Sequence, residues 1–368
     1  MDLMQQFVGE HFARLDSLAP TFTGTEHSIT TWSTRFLEQP AVLVQSEDTP
    51  NKGALGAAEI DLICSAFAYA AEKHWPVVLY LNSSGARLNE GDGIQASFRK
   101  LLNTALAFRS EGHRIVVLMG KNVFGGASLL AMSGHTRIYS EATRVSMTGP
   151  RVMEGQPANQ SHDIRAIIAA ENRARNDAFG VWAESLDDVK EHVHHALSHA
   201  DSVPAGAELV TASKLPFVSS RVKVDQSNIN CTGTQPPQIN DLLALILAAA
   251  KWNRSDKLVI TCEWPCHSLD AADENAYQSY WLFAVSETIY RKQKNGCQIT
   301  CHFAKDVSGG LYIALAAAAT EVTAASGVGV QALPYGIVDQ IVTSATAQKK
   351  EIELIELEII DRIEGPQQ

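Results

Sequence analysis

The stretch "GHRIVVLMGKNVFGGASLLAMSGHTRIYSE", Gly112 to Glu141, returns later in the chain as "GCQITCHFAKDVSGGLYIALAAAATEVTAA", Gly296 to Ala325. The two align without a gap: Ile115 falls on Ile299, Lys121 on Lys305, and both glycines of "KNVFGG" on those of "KDVSGG". Each copy opens on a mixed apolar, β-branched run (Arg114–Met119; Gln298–Phe303), the pattern of a strand. A Gly-Gly turn follows, then a small-residue apolar segment read as a short buried helix (Ala127–Ser133; Leu311–Thr320). "TRIYS" and "TEVTA" supply the next strand. The repeated unit is strand, glycine turn, helix, strand.

The correspondence extends upstream. "PVVLYL" (Pro76–Leu81) and "KLVIT" (Lys257–Thr261) read as buried strands, each followed by an irregular loop and a long helix, about Gly93–Glu111 and Ala276–Asn295. Alternating strands and helices predict α/β layers in both halves. Scattered Pro, Gly, Ser and Asn before Asn240 mark a junction near Ser219–Gln238, which gives domains of 1–225 and 235–368. A helix running to about Lys251, N-capped by Asn240, opens the second half.

Composition narrows the function classes. Hydrophobic residues at 45% and charged residues at 19% describe an ordinary globular chain. A net charge of −11 and no basic stripe argue against a nucleic-acid partner. There is no apolar run of membrane-spanning length, and the cytoplasm is the simplest compartment. Six cysteines in 368 residues do not make a disulfide scaffold. Cys262-x3-Cys266 with Cys297-x3-Cys301 has the count of a zinc site, but "CQITCHF" alternates like a strand and would set Cys297 and Cys301 about 13 Å apart. Core cysteines are the better reading, and no metal is expected.

A Gly-Gly turn between a strand and a helix start presents backbone N–H groups with no side chain in the way. That geometry suits an oxyanion, such as a thioester enolate or a tetrahedral intermediate. Gly125, Gly126, Gly309 and Gly310 are therefore the principal candidates, with the preceding Phe124 and Ser308 as substrate contacts. The loop "NSSGARLNEGDG" (Asn82–Gly93) adds the amides of Ser84 and Gly85, while Arg87 and Glu90 either face substrate or pair with each other.

At these residues a family comes into view. "NSSGARLNEG", "FGGASLLAMSGHTRIYSE" and "MTGPRVMEG" resemble the carboxyltransferase β-type domain and, more closely, the β subunit of biotin-independent malonate decarboxylase. "EWPCHSLDAADENA" and "KDVSGGLYIALAAAATEVTAASGVGVQALP" resemble its γ subunit. The resemblance implies two tandem crotonase-like ββα-spiral domains fused in one chain and forming homo-oligomers. It implies decarboxylation of a malonyl thioester, carried on the phosphopantetheine arm of an acyl carrier protein or CoA, with no covalently bound cofactor. Biotin-dependent carboxyl transfer to an acyl thioester, or a silent carrier-binding module, are the alternatives. The family's loop reads Asp-Ser-Gly-Gly where this chain has Asn82-Ser83-Ser84-Gly85; a positive φ at Ser84 would cost about 1–2 kcal/mol.

Among single side chains, His267 is the candidate proton donor, since loss of CO₂ leaves an enolate that must be protonated. Asp270, Asp273 and Glu274 read as caps of the following helix. His195 and His199 have a metal-compatible spacing, but Val189, Val193, Ala196 and Leu197 give that segment one apolar face, the pattern of a solvated surface helix.

Overall fold

A computed structural model describes residues 2–18, 27–49, 51–198, 219–253, 256–333 and 351–364. By contacts the chain divides into two compact units. Unit 1 comprises Met1–Arg87, Thr104–Val203 and Asp270–Ser279, and unit 2 comprises Leu88–Asn103, Pro204–Leu269 and Tyr280–Gln368. Each half thus lends the other a short segment, and both segments lead into the long helix of their own repeat. The segment 199–218, which contains His199, lies outside the described residues.

Unit 1 is built on one sheet. Its strands are β1 (Phe12–Ser17), β2 (Ile29–Phe36), β3 (Gln39–Ser46), β4 (Val77–Ser83), β5 (Ile115–Phe124), β6 (Thr136–Tyr139), β7 (Arg144–Ser146) and β8 (Gly180–Trp182). Their order is β1-β2-β3-β4-β5-β6-β8, with β7 beside the far end of β5. The first three strands are antiparallel, and from β3 onward all pairs are parallel. Parallel strands are covered on both faces, which is why "VVLYLNS" is buried throughout. Helices α1 (Leu3–His11), α2 (Ala57–Lys73), α3 (Ile94–Ser110), α4 (Gly126–Ala131), α5 (Pro150–Glu154), α6 (Ile164–Ile168), α7 (Ala170–Asn176) and α8 (Leu186–Ser198) follow in chain order; the division between units falls inside α3. On one face Phe7 and Val8 of α1 and Val189 and Val193 of α8 close over Val78, Tyr80, Val116 and Leu118. That contact confirms the apolar-face reading of the histidine-rich helix.

Unit 2 repeats the parallel half. Strands β9 (Val222–Val224), β10 (Asn228–Cys231), β11 (Lys257–Cys262), β12 (Gln298–Phe303), β14 (Glu321–Ala325) and β16 (Arg362–Glu364) form a sheet in the order β16-β14-β12-β11-β10-β9, antiparallel only at β9. A separate parallel pair joins β13 (Val307–Ser308) to β15 (Val330–Gln331). Its helices are α9 (Ile239–Ala250), α10 (Ala271–Asn275, assigned by contacts to unit 1), α11 (Gln278–Lys294), α12 (Gly309–Ala316) and α13 (Glu351–Glu356). The expected α/β class and the strand, glycine turn, helix, strand order hold in both units.

Three local expectations change. The strand predicted to end at Met119 runs to Phe124, because β7 continues the pairing at Asn122, Val123 and Phe124. Helix α9 begins two residues early: its N-cap is Gln238, since Asp241 accepts the Gln238 N–H at 3.0 Å. Of the three acids expected to cap α10, Asp270 does so (2.7 Å from the Ala272 nitrogen), whereas Glu274 is buried in unit 1. Cys262, Cys266 and Cys301 lie in the core and Cys297 is partly exposed. Among the described residues no group of His, Cys, Asp or Glu is arranged to hold a metal, and no helix is long and apolar enough to cross a membrane.

Candidate active site

In unit 1 the carboxyl ends of β4 and β5 deliver two loops to one place. Gly125 takes φ 58° and ψ −133° as the N-cap of α4, a conformation that L side chains rarely adopt. Its equivalent Gly309 has φ 62° at the start of α12. The first glycine of each copied pair therefore takes a positive φ, a physical reason for glycine at that place in both copies. The second glycine is helical. Gly125 donates its N–H to the Ser146 carbonyl at 3.0 Å, while Ser128 and Leu129 close the first turn on the Gly125 carbonyl. Among the described residues the Gly126 N–H has no acceptor, as befits the first residue of a helix. Phe124 packs on the apolar cluster of Met153, Ile164, Ile167 and Ile168.

The second loop packs directly on this turn. A Cβ placed on Gly125 would lie 3.6 Å from the Gly85 Cα, so the two backbones meet without side chains between them. Positive φ falls on Gly85 (107°) and not on Ser84, which removes the strain expected there. Ser84 is exposed, with its N–H on the Lys52 carbonyl at 3.1 Å. Gly85 donates to Ser83 Oγ at 3.2 Å. The Arg87 guanidinium binds Glu59, which is fully buried and requires a cation. Glu59 also accepts the N–H groups of Gly56 (3.1 Å) and Ser28 (3.3 Å), so Arg87 holds the loop down. Glu90 is exposed in a short 3₁₀ turn, Leu88–Glu90, of unit 2.

Asn82, where the motif that the loop resembles has aspartate, is held by two neighbours. Its amide Nδ2 donates to Asp48 and its Oδ1 accepts the Asn122 N–H at 3.0 Å. An amide serves both neighbours where an ionised carboxylate would not, and the site is 5% exposed. Asn82→Asp would set two carboxylates in contact, raising the pKa of the pair. A raised carboxyl pKa leaves stability intact at acid pH and loses it as pH climbs through the shifted value. The variant should match wild type near pH 4 and lose about 1–3 kcal/mol by pH 7. Paired melting curves across that range measure it.

The equivalent turn in unit 2 is differently furnished. His267, 3% exposed, lies against Gly309 and accepts the Gly310 N–H on Nδ1 at 3.2 Å. A Cβ on Gly309 would meet the imidazole Cε1 at 2.7 Å. Burial pulls the His267 pKa down to about 4, so the ring is neutral at pH 7 and its proton sits on Nε2. The Gly310 amide, expected to face an oxyanion, is here engaged by imidazole. Ser308 is buried and donates to the Pro265 carbonyl at 3.2 Å, so its hydroxyl is committed to the backbone. Beside this turn an open cleft of about 400 Å³ is lined by Glu263, Pro265, Lys305, Asp306, Ser326 and Gly327 among others. Its one lysine pairs with Glu263 at 2.9 Å.

Reading the sequence missed a buried ionic centre in unit 1. The Glu274 carboxylate binds Arg173 (3.0 Å) and the N–H groups of Met147 (3.1 Å) and Thr148 (3.2 Å). Burial raises the Glu274 pKa, opposed by the guanidinium and the two amides. Nearby, the Tyr277 hydroxyl meets that of Tyr139 at 2.6 Å, and Tyr139 donates to Asp177, the partner of the buried Arg137.

No protein-family profile matches the chain. Over 136 residues it is 27% identical to the acetyl-coenzyme A carboxylase carboxyl transferase subunit beta of Afipia carboxidovorans, a match covering 36% of this chain and 43% of that protein. The chain thus spans less than half the length of the curated relative. Among solved structures it is similar to transcarboxylase 12S with hydrolysed methylmalonyl-coenzyme A bound (TM-score 0.45, 13% identity, 99% of this chain and 86% of that one). It is also similar to a Pseudomonas malonate decarboxylase hetero-tetramer in complex with malonate (TM-score 0.45, 21% identity, 55% and 82%). A third is the geranyl-CoA carboxylase beta subunit of P. aeruginosa (TM-score 0.46, 14% identity, 98% and 80%). The likeness to carboxyltransferase enzymes expected from the motifs is therefore present at the level of sequence.

Proposed function

We propose that the chain decarboxylates a malonyl thioester held on the phosphopantetheine arm of an acyl carrier protein or CoA. The observation that carries this reading is the Gly125–Gly126 turn, which leaves the Gly126 N–H without a protein acceptor among the described residues at the start of a buried helix. In the reaction the bond between the α-carbon and the carboxylate breaks. CO₂ leaves, and the electron pair passes into the thioester as an enolate whose oxygen takes the backbone hydrogen bond. The α-carbon then gains a proton to give the acetyl thioester. A fixed N–H directed at charge that develops only along the reaction path favours the transition state over the substrate. No covalent cofactor is required.

Purified protein incubated with malonyl-carrier protein and with malonyl-CoA should convert the malonyl to the acetyl thioester, read by mass. A malonyl group unchanged in both removes the proposal. The carboxyltransferase relative favours a second reading, carboxyl transfer with biotin supplied by a partner. Exchange of labelled carboxylate that depends on added biotin separates it from simple decarboxylation.

A further inference from the structure

The second sequence half lends unit 1 the segment Asp270–Ser279, and its contacts converge on the strand that sets the glycine turn. Residues Val145 to Thr148 have two neighbours. On one side the Ser146 carbonyl accepts the Gly125 N–H at 3.0 Å, the bond that orients the turn and with it the next amide, that of Gly126. On the other side Glu274 accepts from Met147 and Thr148, and Arg173 donates to the Val145 carbonyl at 2.9 Å and the Glu274 carbonyl at 2.6 Å. The Ser146 hydroxyl ties the same four residues together through the Thr148 carbonyl at 2.7 Å. With Glu274 1% exposed and Arg173 fully buried, water cannot substitute for either.

We propose that Glu274 is a positioning residue for the Gly125–Gly126 turn: a carboxylate from the second repeat fixes the strand end from which the donor loop of the first repeat hangs. The inference rests on the functional reading of that turn. It also accounts for the place of this segment in unit 1, since without Asp270–Ser279 Arg173 would keep the Val145 carbonyl but lose its carboxylate, and the Met147 and Thr148 amides would lose theirs.

A buried ion pair also stabilises, so the test needs a comparison that stability alone does not move. Tyr277→Phe, in the same segment, removes the hydroxyl bond to Tyr139 and keeps the ring that lies over Arg173. Full-length wild type, Glu274→Gln and Tyr277→Phe are compared at a temperature where all three are folded. Glu274→Gln should speed amide hydrogen exchange in the peptide spanning Gly125–Leu129 and lower kcat by about ten- to hundredfold with KM little changed. Tyr277→Phe should lower the melting temperature without either effect. Equal exchange and equal kcat in the two variants would overturn the assignment and leave Glu274 a structural residue. Absence of turnover in wild type would remove the decarboxylase reading, while the exchange comparison still decides the role of Glu274.

Discussion

Gly126→Pro is expected to lower turnover of a malonyl thioester by about 10²–10³-fold, the loss seen when one oxyanion donor is removed. The substitution deletes that N–H and adds a ring at a buried position. Position 126 is the first residue of α4, where that N–H has no helical partner and where the proline φ suits the backbone. A proline also restricts the residue before it, disfavouring the helical region there. Gly125, at φ 58° and ψ −133°, lies outside that region already. Melting curves, read beside those of Gly126→Ala, separate the cost of packing from the loss of the donor. Gly126→Ala, which keeps the N–H, should retain most activity and serves as the control. Full turnover in the proline variant would show that the enolate is held elsewhere. For a silent carrier-binding module, carrier binding should be the same in all three proteins and none should turn over.

How much of this was legible in the chain differs from residue to residue. The turn was, because two aligned copies of Gly-Gly between an apolar strand and a small-residue helix admit few backbone solutions, and Gly125 and Gly309 both take a positive φ. Long helices were also legible: α3 and α11 lie within two residues of the spans expected from their patterns. Polar residues whose partners are distant were not. Glu274 opens a helix and so resembles a cap; its burial is decided by Arg173, 101 positions earlier. Asn82 donates its amide to Asp48, 34 positions earlier. His267 was legible as a titratable loop residue, but its place against Gly310 depends on how the loop after β11 folds back, which no local pattern encodes. Ser84 escaped a strained conformation because the close approach of Gly125 puts the positive φ one residue later.

The largest effect on stability is expected at Gly53, which the pattern of the chain gave no reason to single out. Asn51, Lys52 and Gly53 are all left-handed, with φ 58°, 54° and 70°, so three consecutive residues form a left-handed turn. Such backbone costs roughly 1–2 kcal/mol for each side-chain-bearing residue and persists only where its surroundings enforce it. Here the enforcement comes from the loop of the candidate site. Ser84 donates its N–H to the Lys52 carbonyl at 3.1 Å, and Gly53 presses on the end of β4. A Cβ on Gly53 would lie 2.0 Å from the Asn82 carbonyl oxygen and 3.3 Å from the Ser83 Cα, both backbone atoms that no rotamer change can move aside. Gly53→Ala should therefore destabilise unit 1 by more than about 4 kcal/mol. Turnover should also fall, because the displaced strand end carries Gly85 against Gly125. Lys52→Gly relieves strain at the adjacent position without a clash and should stabilise by up to about 1 kcal/mol. Opposite signs at neighbouring positions, read from urea unfolding of the two variants, would confirm that the left-handed turn stores strain beneath the donor loop. A Gly53→Ala protein as stable as wild type would show that β4 can retreat, and that the contact between Gly85 and Gly125 is looser than the structure implies.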